Sequence, residues 1–263
     1  MQKIKPQQVI DLAIEAGRII LQSGGTTNRV ELMMRKVCNC FGYPKTESYV
    51  TPTGIFISVK DEYGSIFTSI KRIDNRRIDL GKITSISRMV NCMQLKPPSE
   101  QDYNEQLIDF EEELKKIDTE NPWPSWLKDL CGGGTSGFFC LLFGGSWAEF
   151  AVAFTIGVIV TFGLKYLEKL AFNNFLLNAI AAALIVLLAK TIDIFVPYIR
   201  LDNIIIGGIM LLVPGLSITN AMRDTMSGDL VAGTARAVEA FFITVGIVAG
   251  SASMLKILSL WGY

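Results

Sequence analysis

Five segments of the chain's second half, residues 130–148, 150–164, 170–189, 203–222 and 240–255 (the last extendable back to 231), contain no Asp, Glu, Lys or Arg. Soluble core helices keep a polar face, and these keep almost none. A membrane-crossing helix needs roughly 17–25 predominantly apolar residues, which the third and fourth segments reach outright and the others reach with their flanks. Residues 126–263 hold eight Lys/Arg and eight Asp/Glu, which leaves 17 of each sign for residues 1–125. The first part is therefore composed like a cytosolic domain and the second like a membrane domain. The expected architecture is an α+β cytoplasmic domain (1–116), a linker (117–125) and an all-α membrane domain of about five transmembrane helices (126–263).

Composition excludes several kinds of function. Formal net charge is zero, so no basic surplus exists to neutralise phosphates and nucleic acid is not an expected partner. The chain has no histidine, which removes His-based triads, His general bases and most zinc sites. No cofactor and no metal is expected, and proton chemistry has to run through carboxylates, Lys, Tyr or Cys. Five cysteines, none in a CxxC pair, point to free thiols in a reduced compartment. The run from Val9 to Leu21 is interrupted by Asp11, Glu15 and Arg18, unlike the apolar core of a signal peptide.

In the first part, Ile10, Ala13, Ile14, Gly17 and Leu21 share one helix face, and Ser23-Gly24-Gly25 stops that helix with glycine suited to a left-handed cap. Asn28, with Glu31 three residues on, predicts the capping box of a second helix that ends at Gly42. Three β-rich runs follow, 48–53, 55–60 and 66–72, the last two joined by a hairpin loop at 61–65. Ile83, Ile86, Val90 and Met93 form one further stripe. Leu107, Phe110, Leu114 and Ile117 form another, on a solvent-washed helix. Asn121-Pro122-Trp123-Pro124-Ser125-Trp126 then reads as an interfacial anchor. With residues 1–125 inside, Lys165 and Lys169 also fall inside, as do Arg223 and Arg236, while Lys190, Arg200 and Lys256 fall outside. The majority of basic residues thus favours N-terminus in and C-terminus out.

The most unusual stretch is 214–239. Pro214-Gly215 should interrupt the fourth span and free backbone groups, with the polar residues Ser217, Thr219 and Asn220 directly after it. Transporters use such breaks to meet a substrate; an ordinary proline kink is the plainer account. Arg236 and Glu239, three apart, share a helix face. Arg236 is a candidate anchor for a substrate carboxylate, and Glu239 or Asp224 a candidate proton carrier; an interfacial salt bridge explains Arg236 and Glu239 equally well. Loop solvation is the plain account of Arg223, Asp224 and Asp229, and helix capping that of Glu149 and Asp202. In the first part, the turn 23–31 with Arg29 and Glu31 opens onto a helix N-terminus that can bind an anion, yet lacks P-loop spacing, and helix punctuation is its stronger account. Thr51 and Thr53 are a hydroxyl pair at a turn. Cys38-x-Cys40 is expected to be inert.

The blocks LQSGGTTNRVELMM…YVTPTGIFISV…IKRI and VPGLSITNAMRDTMSGDLVAGTARAVEA, in that order, resemble the threonine/serine exporter family over about residues 10–251. The resemblance implies a cytoplasmic α+β domain followed by about five membrane helices in the inner membrane, and transport rather than enzymatic activity. Full-length members add a second membrane portion. Split members supply it as a separate small membrane protein, and some are implicated in exporting dicarboxylates such as succinate. This chain is similar to the larger subunit of the split form, which implies a small membrane subunit or a homo-oligomer as partner, lipid around it, and a small carboxylate as cargo. The family pattern falls on Ser23, Gly24, Arg29, Glu31, Thr51, Pro52 and Thr53. In the membrane half it falls on Pro214, Gly215, Asn220, Arg223, Asp224, Gly228, Gly233, Arg236 and Glu239. Gly25 stands where alanine is commoner, a change expected to leave the turn intact. The competing expectation is a membrane-anchored cytoplasmic domain that binds a ligand or hydrolyses one, which five spans disfavour.

Overall fold

The computed structural model describes residues 5–74, 77–98, 103–120, 123–169, 172–196 and 199–260. They form two compact units that do not follow chain order. One is Met1–Glu120 together with Leu216–Ala237, the other Asn121–Gly215 together with Val238–Tyr263.

The first unit opens with α1 (Pro6–Gln22) and α2 (Thr27–Cys40), packed closely enough that a Cβ on Gly17 would meet Met34 Sδ at 2.7 Å. Pro6 sits in the first turn of α1, where its missing N–H costs nothing, and Gly24 ends the helix at φ +90°. The capping box expected at Asn28 is absent. Thr26 occupies the N-cap position of α2, and its side chain makes no cap bond. Glu31 turns instead to the sheet, where its Oε1 accepts from the Val50 amide at 3.0 Å.

Strands β1 (Thr46–Thr51), β2 (Gly54–Lys60) and β3 (Ile66–Arg72) form an antiparallel sheet in chain order. Thr51 pairs Gly54 at one turn and Lys60 pairs Ile66 at the other, so β1 begins and ends two residues earlier than the expected 48–53 run. Asp61 Oδ1 accepts from the amides of Tyr63 and Ser65, and Gly64 takes φ +90°, which closes the second hairpin. Ile55, Ile57 and Val59 face inward onto α1 and α2. Helix α3 (Leu80–Leu95) adds Ile83, Ile86 and Val90 to the same core, and α4 (Tyr103–Thr119) adds Leu107, Phe110, Leu114 and Ile117. Arg18 ties α1 to the end of α4 through Asp118 at 2.6 Å. Most of α9 (Gly215–Met226) and the opening turns of α10 (Leu230–Leu260) complete the unit.

The second unit contains α5 (Ser125–Leu142), α6 (Trp147–Glu168), α7 (Asn174–Phe195), α8 (Leu201–Met210) and the remainder of α10. Its core uses small and branched side chains, among them Ala153, Ile156, Ala181, Ala182, Ile185 and Ile204. Phe162, Phe195, Phe241, Phe242 and Val248 point outward. Among the described residues α6, α7 and α10 are each long and apolar enough to cross a membrane, and α8 with α9 meets the same measure only when counted together as one bent span. Helix α5 falls short of the five-span expectation. It covers 125–142 rather than 130–148, and Lys128, Asp129 and Gly132–Gly134 dilute its apolar content. Lys165 pairs with Asp129 at 2.6 Å, neutralising both groups. Trp123 and Trp126 are exposed, while Asn121, Pro122 and Leu170 of the expected elements lie outside the described residues.

The capping account of Glu149 holds and extends. It closes a capping box with Ser146 at the start of α6, and also accepts from the Arg200 amide at 2.8 Å and from Asn203 Nδ2 at 3.2 Å. A carboxylate that is 3% exposed is stable there because it collects that many donors. Asp202 lies in the first turn of α8.

Candidate functional site

The polar centre of the first unit lies at the turn between α1 and α2. Two helix ends meet there with complementary unsatisfied groups: carbonyls where α1 finishes and amides where α2 begins. Helix α9 and the start of α10 supply a partner for each. Asn220 Nδ2 donates to the Gly24 carbonyl at 2.9 Å, and Arg236 Nη2 donates to the Gly25 carbonyl at 2.7 Å. Asp224 meets the other end, with Thr27 Oγ1 3.2 Å from its Oδ1 and the Thr27 amide against the same carboxylate. Asp229 Oδ2 lies 2.9 Å from the same hydroxyl. Cation against carbonyls and anion against amides is the arrangement that helix dipoles favour, at about 0.3–1 kcal/mol each and up to about 2 when partly buried. The anion that meets the glycine-containing turn is thus the chain's own Asp224.

Asp224 and Arg236 also pair with each other. Arg236 Nε stands 3.0 Å from Asp224 Oδ2, and the two side chains are 5% and 1% exposed. The separation is that of an ion pair, but the N–H is not aimed along a hydrogen bond. Asp224 is therefore not a solvated loop residue as expected; it is among the most buried charges in the chain. What anchors Arg236 is Asp224, a partner that the three-residue spacing to Glu239 does not reveal.

Tight packing holds the segment in place. A Cβ on Gly233 would strike Thr225 Oγ1 and lie 2.9 Å from the Thr225 amide. Gly228 takes φ +93°, so the reversal between α9 and α10 requires glycine there. A Cβ on Gly25 would lie 2.9 Å from the Ile20 carbonyl. The alanine more common at that position in the resembling pattern would have to shift the turn.

The expected site residues separate. Asn220, Asp224 and Arg236 come together around Thr27, with half-buried Glu31 one helical turn further along α2. Ser217 is half-buried on α9. Pro214, Gly215 and Glu239 belong to the other compact unit. The break before α9 is real, with residues 211–214 outside both helices, but the Gly215 amide is not freed by it and donates to the Val213 carbonyl at 2.8 Å. Arg29 is exposed and donates to Ser87 Oγ at 2.9 Å. Thr51 does not face a pocket with Thr53: its hydroxyl donates to the Gly54 carbonyl, and Thr53 is exposed. Thr27 is the member that sequence reasoning missed, and Asp229 was read only as a solvated loop residue. Both carry pattern signals, a hydroxyl at a helix start and an acid before α10, but neither signal names its partner.

Cys38 and Cys40 are buried, and all five cysteines are free thiols. Burial pushes the Cys38 thiol up to about 11, so it is unreactive as expected. Burial likewise raises the Glu31 carboxyl, the Asp229 charge adds to that, and the Val50 amide and Arg35 act against it. The folded chain therefore holds the Glu31 proton more tightly than the unfolded chain. Its contribution is fully present below the ordinary glutamate value and is lost as pH rises through the raised one. Glu31→Gln keeps an acceptor for Val50. It should leave stability unchanged in acid and increase it near neutrality by under about 1 kcal/mol, which thermal unfolding at two pH values checks.

A groove of about 590 Å³ lies elsewhere on this unit, lined by residues of α1, β3 and α4 that include Asp11, Glu15, Lys71, Glu111 and Lys115.

Compared with known proteins, residues 11–258 match the family model described as "Putative threonine/serine exporter". Over its full length the chain is 25% identical to the "Probable succinate transporter subunit YjjP" of Escherichia coli, covering 98% of that protein. It is 25% identical to the threonine/serine exporter of Corynebacterium glutamicum, aligning 92% of this chain with 50% of that one. A protein of Mycobacterium tuberculosis named "Probable threonine/serine exporter" is 24% identical over 93% of this chain and 45% of its own length. No solved structure gives a significant match. A match across almost the whole chain, joined to helices apolar enough to span a membrane, establishes that the chain belongs to the threonine/serine exporter family, a family of transporters and not of enzymes.

Proposed function

We propose that the chain is the larger subunit of an inner-membrane exporter that moves small carboxylate metabolites outward in exchange for protons. The cargo is threonine and serine or a dicarboxylate such as succinate. The N-terminal unit faces the cytoplasm and the C-terminus lies outside. A second, smaller membrane subunit completes the pathway, a reading supported by the full-length likeness to a protein named as a subunit and by the half-length match to longer exporters.

The observation that carries the mechanism is the buried pair of Asp224 and Arg236, placed directly after an interrupted apolar helix. Burying a charge pair is unfavourable unless both partners remain engaged, so anything that neutralises or replaces one partner changes the free energy of the whole arrangement. Arg236 is the group assigned to the substrate carboxylate, with Ser217 and Asn220 of the same unit shaping the approach. Asp224 and Glu239 are the acids assigned to coupling.

The test is flux. Cells lacking their own exporters, loaded with labelled threonine, serine or succinate, should release one of these only when this chain and its small partner are both expressed, and faster with a steeper inward proton gradient. Release that ignores the gradient would remove the coupling; release of none would remove the cargo assignment. The groove near Asp11 and Lys71 favours the second reading, a cytoplasmic ligand-binding domain, which predicts that full-length chain alone binds one of these metabolites while export is absent.

A further inference from the structure

The sheet of the first unit ends on an open strand, β3. Hydrogen-bonding direction alternates from residue to residue along a strand, and two bonds just outside the ladders fix the phase. The Lys60 amide donates to the Lys45 carbonyl, on the β1 side of β2, and the Ile73 amide donates to the Thr53 carbonyl, on the β2 side of β3. Counting back by twos from Ile73, residues 71, 69 and 67 aim their amides and carbonyls at β2. Arg72, Ile70, Thr68 and Ile66 aim theirs away from the sheet. No bulge interrupts the seven-residue register, and Ile66 and Ile70 are 67% and 65% exposed. The inner side of the strand borders the open groove that it shares with α1 and α4. Folded proteins blunt such an edge with proline, a bulge or a charge in mid-strand, whereas β3 carries charge only at its end, on Lys71 and Arg72.

The outer face of the sheet leads to the same edge. Phe56 pairs with Tyr49 on one side and with Ile70 on the other, and the Tyr49 and Phe56 rings lie 6.2 Å apart. All three side chains are exposed, so an apolar row crosses the sheet and stops at Ile70.

We propose that β3 pairs antiparallel with β3 of a second copy of the chain, joining two three-stranded sheets into one of six strands about a two-fold axis at Ser69. The register follows from the backbone. Ladder bonds can be exchanged only by the edge-facing residues, and one alignment uses the whole strand: Ile66 opposite Arg72 of the second copy, Thr68 opposite Ile70, and Ser69 opposite itself. Charge selects the same alignment. A parallel pairing would set Lys71 and Arg72 against their own copies. The antiparallel one brings them to the end of the sheet that carries Asp61 and Glu62 of the second copy, although Lys60 stands there as well. Ile70 then falls diagonal to its own counterpart, within reach of large side chains, and the two apolar rows become one surface. Seven residues a side make a small interface, under about 1,200 Å², so the pairing is reversible and favoured by confinement in one membrane.

Disulfide trapping tests the register. The full-length chain in detergent, with the exposed Cys92 and Cys131 replaced by serine, receives one new cysteine at a time. Ser69→Cys places two thiols in a non-hydrogen-bonded pair, whose Cα atoms stand about 4.5 Å apart and which a disulfide can bridge. Mild oxidation should give a covalent dimer that reductant dissolves. Thr68→Cys sets the same thiols on a diagonal of roughly 7–8 Å, too far to bridge, and should stay monomeric. Adding Ile70→Lys to Ser69→Cys should cut the dimer yield by about fivefold, while Ile70→Val should keep it. Neither change should move the unfolding temperature of the reduced protein, because the side chain is exposed. Equal trapping at 68 and 69 overturns the proposal, as does no trapping at 69. Trapping of residue 69 to a different polypeptide also overturns it and gives the edge to another partner. No arm depends on cargo: failed trapping leaves the exporter reading standing, and failed export leaves the pairing standing.

Discussion

Arg236→Gln is expected to lower the stability of the detergent-solubilised chain by about 3–5 kcal/mol, because it leaves Asp224 ionised, buried and without its cation. Asp224→Asn should be comparably damaging, since the stranded group is then a guanidinium. The double variant Asp224→Asn/Arg236→Gln removes both charges and should recover most of the loss. Thermal unfolding of the four forms measures this coupling. Additive losses in the double variant would mean that the pair is not what holds residues 216–237 to the α1–α2 turn. The same four proteins also test transport. A double variant that is stable but does not export supports a working role for the pair. A stable double variant with unaltered efflux would take Arg236 and Asp224 out of substrate binding and coupling together.

The second large effect lies in the other unit. Gly250→Ala and Gly207→Ala should each cost about 1–3 kcal/mol or more, as overpacking does in a close-packed interior. A Cβ on Gly250 of α10 falls on the Ala179 carbonyl oxygen of α7, and a Cβ on Gly207 of α8 lies 2.6 Å from the Ser136 carbonyl of α5. The obstacles are backbone atoms, so no side-chain rotation relieves them and whole helices must separate. Gly163→Ala is the matched control: nothing lies within 4 Å of its new Cβ, and helix propensity alone should stabilise it by about 0.5–1 kcal/mol. Membrane yield and unfolding temperature of the three variants check the contrast. Equal behaviour would mean that these helices are not in contact through their glycines.

Much of the fold was legible in the sequence because its determinants are local. The stripe of Ile10, Ala13, Ile14 and Gly17 specified α1 and its buried face. Asp61 and Gly64 specified the hairpin, and the apolar runs specified α6, α7 and the long α10. Where the reading slipped, a local signal was outvoted by a distant partner. Asn28 and Glu31 have the spacing of a capping box, yet Glu31 gains more by accepting from Val50 across the core, and α2 receives its capping anion from Asp224. Helix α5, expected to span only with its flanks, falls short because those flanks bring in Lys128 and Asp129 beside a run of glycines, and Asp129 is offset by Lys165, a partner that the linear pattern does not show.

The site was legible only as a list. Sequence alone marked Arg236 as an ionisable group costly to place at the start of an apolar span, Asn220 as a polar residue directly after a helix break and Asp224 as a solvated loop residue or a proton carrier, and it marked Ser23–Thr27 as a turn opening onto a helix. That these are one place, with Thr27 bonded to Asp224 and Arg236 to Gly25 across 197 and 211 residues, was decided by tertiary structure. Periodicity and spacing report which groups need satisfaction, since that is fixed by the covalent chain and its nearest turns. Which group satisfies which depends on the path by which α9 and α10 return to α1 and α2, and a pattern that decays over a few residues carries no record of that path.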